Sequence, residues 1–240
     1  MIKTLQHPDT LALELAQASR IIDQFIKSCS HDLRGPLASI QGLVDVARRS
    51  QGDDLGQCLD LILRCNSKLM EMIGSLEGYM IHSRKELKPD TIDPEQLAAG
   101  VLDQYKHLIA ANKINVKLEV DQPFPWISDP DSCTMILREI VSNAIRFADD
   151  SKTRKKILIS IQCSAETVTM AIQDNGIGMG EEHKKLLYEP FFRGARQSRT
   201  GLGLFLVRTL IDKLGGSMSI LSQEEEGTTC RLTVPNLILS

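Results

Sequence analysis

The sequence lacks a CxxC pair and any long uncharged apolar run. Its six cysteines, at positions 29, 58, 65, 133, 163 and 230, are scattered, and several fall on apolar faces. A zinc site or a disulfide framework is therefore not expected, and we expect the cysteines to be reduced core residues. No stretch reaches the ~18 apolar residues of a membrane helix, and residues 1–20 lack a signal-peptide core. We expect a cytoplasmic protein, by itself or as the cytoplasmic part of a larger or membrane-bound sensor.

The sequence also has little net charge. At −3, with 42% hydrophobic and 25% charged residues over 240 positions, it resembles an ordinary soluble protein of one large or two small domains. Nothing in this balance favours binding to nucleic acid or to an anionic membrane.

The first 88 residues show only helical periodicity. One apolar face continues in phase across Gly35 and Pro36, two residues that are costly inside a helix. Pro36 lacks the N–H that would bond the carbonyl of Asp32, which predicts a kink within about one turn of His31. The spacing places His31 on the polar face. The alternative is a bent helix with an incidental surface histidine.

A second apolar stripe runs from Leu55 to Met80, after turn residues at 50–56. Two long amphipathic helices with a short connection form an antiparallel hairpin. Because two helices cannot bury both stripes, we expect a homodimeric four-helix bundle; packing of the stripes on the second domain is the alternative.

A charged, proline-containing linker at 83–96 precedes a region in which helices and strands are mixed. There the patterns predict helices over 94–111, 130–148 and 201–214, and strands over 114–120, 156–163, 167–174, 217–222 and 228–234. The alternation in the strands predicts one sheet with helices on its apolar face, an α+β domain. We expect a helical extension at 1–20, a helical hairpin domain at 21–88 and the α+β domain at 89–240.

Two glycine motifs lie in the second domain. DNGIGMG (174–180) follows a strand, and TGLGL (200–204) opens a helix. Glycines allow close backbone approach, a carboxylate can accept the adenine amine, and a helix N-terminus suits phosphate. The first motif is also typical of any turn after a strand. The polar, basic and aromatic segment 188–199 between them is typical of a functional loop, although its arginines could simply be solvated.

The predicted helix at 130–148 carries Glu139 and Asn143 four residues apart, with Arg146 one turn further on. A carboxamide oxygen, phosphate oxygens and waters suffice for Mg²⁺, which keeps most of its water. The alternative is a buried Asn143 bonded to backbone.

The segments HDLRGPL, NAIRF, DNGIG, EPFFR and TGLGL, in this order and spacing, resemble the boxes of a two-component sensor histidine kinase, from about residue 24 to 235. The resemblance implies a dimerisation and phosphotransfer hairpin followed by a Bergerat-fold ATP-binding domain of the GHKL type. It also implies that Mg·ATP phosphorylates a histidine and that an aspartate of a response regulator then takes the phosphoryl group.

Carried over residue by residue, the resemblance makes His31 the phosphoryl acceptor and Asp32 its adjacent acid. It makes Asn143 a Mg²⁺ ligand, Asp174 the adenine anchor and Phe147 a flank of the base. The remaining nucleotide contacts would come from two arginines and both glycine motifs, namely Arg146, Arg193, Gly176, Gly178, Thr200, Gly201, Leu202, Gly203 and Leu204.

Three positions depart from the family's pattern. Arg199 stands where the second glycine motif has its first glycine. Glu139 stands where such kinases more often have Asn, and related ATPases use a Glu there to activate water. We expect Glu139 to be catalytic and, together with Asn143, to bind the metal. Gly35 replaces a Thr or Asn that accompanies phosphatase activity, so we expect little of that activity.

Two other classes compete with a kinase. A scaffold with a degenerate ATP domain conflicts with the intact glycine motifs and Asn143. An ATPase without a histidine acceptor would explain Glu139 but leaves HDLRGPL unexplained.

Overall fold

The computed structural model describes residues 33–187 and 203–237. The chain divides into two compact units, Met1–Ser75 and Leu76–Ser240. Six of the predicted site residues lie outside the described residues: His31, Asp32, Arg193, Thr200, Gly201 and Leu202.

The first unit is helical, as predicted. Helix α1 covers 33–47 and so includes Gly35 and Pro36, and helix α2 runs over Asp53–Arg84. Gly52, in the connecting turn, has a φ of +59°, a left-handed conformation that glycine adopts without strain. Within the described residues the helix includes Pro36, as predicted, while its predicted upstream part before residue 33 lies outside them. The predicted kink next to His31 involves residues outside the described ranges.

Helix α2 presents apolar side chains on more than one side. Cys58 and Leu69 are buried, whereas a second stripe at helical spacing is 41–62% exposed in the single chain: Leu59, Leu63, Met70 and Ile73. Seven-residue spacings such as 63 to 70 place side chains on the same helical face. The residues that the structure describes thus leave this exposed stripe uncovered.

The second unit is α+β, also as predicted. Its further elements are β1 (Asp90–Ile92), α3 (Pro94–Ala111), β2 (Ile114–Asp121), β3 (Trp126–Ser128), α4 (Pro130–Arg146), β4 (Lys155–Cys163), β5 (Thr167–Asp174), α5 (Glu181–Leu186), α6 (Gly203–Lys213), β6 (Ser217–Gln223) and β7 (Gly227–Pro235). The main sheet has the order β2-β4-β5-β7-β6, in which only β2 and β4 are parallel. A small antiparallel pair joins β1 to β3.

Alternate residues of the central strands form the core with three helices. In β5 the buried residues are Val168, Met170 and Ile172, and they belong to one cluster with the inner faces of α3, α4 and α6. Burial of apolar area on one sheet face holds the layers together. The polar residues of the candidate site, described below, lie at the ends of these strands and helices.

Two helices begin as their sequences predict. Asp93 and Asp129 each precede a proline at the first helical position, and each side chain accepts a hydrogen bond from the backbone three residues on, at 3.0 and 2.9 Å. These caps satisfy N–H groups that the helix leaves unpaired. Within the described ranges, no helix combines the length and apolarity needed to cross a bilayer.

Candidate nucleotide-binding site

Asp174 ends strand β5 with one carboxylate oxygen engaged and the other available. Oδ1 accepts hydrogen bonds from the backbone N–H of Gly176 at 2.8 Å and of Thr228 at 3.3 Å. Oδ2 makes no hydrogen bond with any residue that the structure describes. The backbone therefore fixes the orientation of the carboxylate while leaving one oxygen to accept from a ligand.

Burial dominates the ionisation of this carboxyl group. Desolvation raises the pKa of Asp174 from 3.8 to about 6, although the two backbone hydrogen bonds and the charge of Lys152 oppose the shift. A carboxylate kept ionised at a cost in stability is typical of a functional site.

The next residue, Asn175, turns its side chain to the sheet. Its Oδ1 accepts from the backbone N–H of Lys156 at 2.7 Å, and its amide donates to the carbonyl of Arg154 at 2.8 Å. These bonds tie the end of β5 to the start of β4, so Asn175 has a structural role here.

Gly176 and Gly178 are both required by close backbone contacts. A Cβ on Gly176 would lie 2.2 Å from the carbonyl oxygen of Phe147, which also accepts from the N–H of Ile177 at 2.9 Å. Gly178 has a φ of +65°, and its Cβ would lie 1.8 Å from the carbonyl oxygen of Gln223. Any side chain would force this loop apart. The predicted approach of both glycines to a nucleotide stays a prediction.

Helix α4 ends at this loop. Phe147 is its C-terminal capping residue, and Glu139, Asn143 and Arg146 precede it at helical spacing on one side of the helix. The Asn143 amide is half-buried and makes no hydrogen bond with the described residues. It is therefore not the backbone-bonded asparagine of the alternative interpretation, and its oxygen is available to a ligand.

Glu139 lies where α4 meets α6. Its Oε1 accepts from Arg138 at 3.3 Å, and its Oε2 would be 2.8 Å from a Cβ on Gly203. Leu204, the residue after Gly203, packs against the hydrophobic core. Arg146 contacts the Ser142 hydroxyl at 3.4 Å.

The structure thus brings two pairs of the predicted residues together, Phe147 with Gly176 and Glu139 with Gly203, with Asn143 between them along α4. In the described part of the chain, no group of three or more His, Cys, Asp or Glu side chains is arranged to hold a cation.

One contributor to this site was not predicted from the sequence. Lys152, in the connection from α4 to β4, donates to three backbone carbonyls of the Asp174 loop and of the turn at 223–227. Lys152 belongs to a run rich in lysine and arginine, and such runs normally read as solvated surface. No spacing signal distinguishes it from its neighbours.

An α+β unit in which a helix end carrying an asparagine meets an Asp-x-Gly loop is the arrangement of a GHKL-type ATP-binding domain. Two family models match the chain: "Histidine kinase-, DNA gyrase B-, and HSP90-like ATPase" over residues 128–238, and "His Kinase A (phospho-acceptor) domain" over residues 21–79. Together they take in most of the chain.

Among curated relatives, the sensor histidine kinase RcsC of Salmonella typhi is 25% identical over 247 residues, which is 98% of this chain and 25% of RcsC. The chain spans about a fifth to a quarter of the length of the first curated relatives it matches.

Two solved structures are similar in fold. The histidine kinase ThkA in complex with the response regulator protein TrrA aligns with a TM-score of 0.74 at 19% identity, covering 99% of this chain and 69% of that one. Full-length ShkA in complex with AMPPNP aligns at 0.64 and 18% identity, covering 90% and 47%. The chain therefore contains a histidine kinase phospho-acceptor domain followed by a histidine kinase-type ATPase domain.

Proposed function

We propose that this chain is the catalytic core of an ATP-dependent protein histidine kinase. It would autophosphorylate His31 and pass the phosphoryl group to an aspartate of a response regulator. The observation that carries the proposal is Asp174, a desolvated carboxylate with one oxygen fixed by backbone N–H groups and the other available.

The free oxygen of Asp174 suits adenine. An ionised carboxylate only accepts hydrogen bonds, so it pairs with the exocyclic amine of adenine and repels the carbonyl oxygen that guanine has at the same ring position. Phe147, half-exposed beside Gly176, can cover one face of the base. The AMPPNP complex of ShkA supports binding of an ATP-type ligand.

The phosphates and Mg²⁺ are assigned to the α4 side of the site. The unbonded Asn143 amide fits a Mg²⁺ that keeps its waters, and Glu139, one helical turn earlier, would bind the same ion or its waters. A bound Mg²⁺ would neutralise charge on the transferring phosphoryl group. Arg146 and Arg193 would act on the phosphates, and the motif at 200–204 would close over them.

The chemistry requires a nucleophile and a base. A neutral imidazole nitrogen of His31 would attack the γ-phosphorus, forming a P–N bond as the bond to the β,γ-bridging oxygen breaks and ADP leaves; Asp32 would take or orient the ring proton. Positioning and charge neutralisation supply most of the catalysis in such transfers.

The partners proposed are a second copy of the chain and a response regulator. The exposed stripe on α2, defined above by Leu59, Leu63, Met70 and Ile73, supports a homodimeric four-helix bundle because such a bundle would remove it from water. The complex of ThkA with TrrA supports a regulator as phosphoryl acceptor. We also propose domain boundaries between residues 20 and 21 and between residues 88 and 89. A cytoplasmic location is proposed as well.

Incubation with γ-labelled ATP and Mg²⁺, followed by acid and by base, tests the proposal. Phosphohistidine is acid-labile and base-stable, so label lost in acid and kept in base is expected. Absence of label would favour the scaffold, and release of free phosphate without protein label would favour the ATPase.

A further inference from the structure

We propose that Lys152 is a positioning residue for the adenine-binding carboxylate, because its single ammonium group joins the Asp174–Gly176 loop to the turn at 223–227. The inference rests on the proposed function, in which Asp174 binds adenine. It assigns a role to a residue outside every motif considered above.

The ammonium group of Lys152 lies within hydrogen-bond distance of three backbone carbonyls. It donates to the carbonyl of Asn175 at 2.7 Å, to that of Gly176 at 3.3 Å and to that of Glu225. Three carbonyls match the three donors of an ammonium. The side chain is 25% exposed, so these bonds are partly sheltered from water.

The two segments that Lys152 joins also contact each other directly. The backbone N–H of Glu225 donates to the carbonyl of Ile177 at 2.8 Å, and Thr228 donates to Oδ1 of Asp174. The carboxylate is therefore oriented by Gly176 in the loop and by Thr228, which directly follows the turn at 223–227, and Lys152 links that turn to the loop.

Lys152 also acts on Asp174 through its charge. The charged side chains on the surrounding segments are Arg146 at the end of α4, Asp149, Asp150 and Lys152 after it, Arg154, Lys155 and Lys156 at the start of β4, and Glu224, Glu225 and Glu226 on the turn. Of these, Lys152 is the one whose charge lowers the pKa of Asp174. Asp149 lies 4.0 Å from the Lys152 ammonium.

Removal of the charge should make nucleotide binding more sensitive to acid. If only ionised Asp174 binds adenine, affinity falls in proportion to the ionised fraction. Because loss of the Lys152 charge would raise the pKa of Asp174 further, the loss of ATP affinity should be largest at and below pH 6 and smallest at pH 8. A purely structural loss would be the same at every pH.

The test compares Lys152→Gln, which keeps amide donors without the charge, with Lys152→Arg, which keeps the charge. Lys156→Gln is the matched control, since Lys156 is an exposed neighbour whose side chain makes no hydrogen bond with the described residues. Two quantities are measured for each protein: the titration midpoint of the Asp174 carboxyl carbon by NMR without nucleotide, and the ATP dissociation constant from pH 5.5 to 8.

The expected result is a raised midpoint and a steeper loss of ATP affinity below pH 7 for Lys152→Gln, with Lys152→Arg and Lys156→Gln close to the natural chain. An unchanged midpoint in Lys152→Gln would overturn the inference. If the natural chain bound no ATP at any pH, the proposed function would fail, while the carboxyl titration would still decide the role of Lys152. A titration midpoint of Asp174 in Lys152→Arg as high as that in Lys152→Gln would also contradict the inference about Lys152.

Discussion

Replacing Asp174 by Asn should make the ATP-binding unit more stable and a poorer binder at the same time. The carboxylate is ionised near neutral pH although burial raises its pKa from 3.8 to about 6. At about 1.4 kcal/mol per unit, that shift corresponds to about 3 kcal/mol of destabilisation above pH 6. Asn is neutral and can still accept the N–H groups of Gly176 and Thr228 through Oδ1.

The sign of the pH dependence follows from the direction of the shift. The unfolded aspartate loses its proton near pH 3.8 and the folded one near 6, so the natural chain loses stability as pH rises through that window. The gain in the Asn variant should therefore be near zero below about pH 4 and full above about pH 6.

Trp126 makes the measurement specific to the second unit. It is the chain's only tryptophan and is fully buried there, so its fluorescence follows unfolding of that unit. A gain of about 3 kcal/mol corresponds to a melting temperature roughly 6–12 °C higher at pH 7.5. ATP affinity should fall at least about tenfold, as the loss of a charged hydrogen bond suggests.

An Asn variant that is less stable than the natural chain at pH 7.5, or a stability difference that does not change between pH 4 and 7, would refute the reasoning. It would mean that the protein's own groups fully satisfy the carboxylate. Unchanged ATP affinity would mean that adenine binds elsewhere.

Three further predictions concern other parts of the chain. Asn143→Ala should abolish most of the Mg²⁺ dependence of ATP binding, measured by titration with and without Mg²⁺, while binding without Mg²⁺ stays the same. Met70→Lys should shift the chain from dimer to monomer in sedimentation, because it places a charge in the exposed stripe, whereas Asp60→Lys on the polar side of α2 should not. Gly35→Thr should increase the dephosphorylation of a phosphorylated regulator by the His31→Gln chain with ADP.

The Gly35→Thr substitution fits the structure, because a Cβ at position 35 would meet none of the described residues within 4 Å. Glycine has no hydroxyl to hold a hydrolytic water beside a residue four positions earlier. Rapid dephosphorylation by the chain that keeps Gly35 would show that another group holds the water. Equal Mg²⁺ dependence in Asn143→Ala would remove that residue from the metal, and a dimer in Met70→Lys would place the subunit interface elsewhere.

The sequence predicted the long elements well because their signals are local. Strand β5 has the predicted limits of Thr167–Asp174, and α3 starts at its Asp-Pro cap and ends at Ala111 as expected. The pairing of β1 with β3 was not predicted, since three residues carry too little periodicity and the pairing joins positions far apart in the chain. Helix α5, with six residues and no side-chain cap, was missed for the same lack of local signal.

The site was predictable only in part, and the reason is physical. Asp174 and Asn143 belong to motifs, so a resemblance identifies them, and the structure adds that each has an atom free to bind. Lys152 acts through backbone carbonyls of segments more than 20 and more than 70 positions away. Such a bond depends on tertiary packing and leaves no spacing in the sequence.

The most direct test of the central claim is to locate the phosphoryl group after incubation with Mg·ATP, by peptide mapping under alkaline conditions that preserve phosphohistidine. Phosphorylation is expected on His31 in the natural chain and on no residue in His31→Gln, although that variant should bind ATP with unchanged affinity. Phosphate on His107 or His183, or label that persists in His31→Gln, would contradict the assignment of His31 as the acceptor.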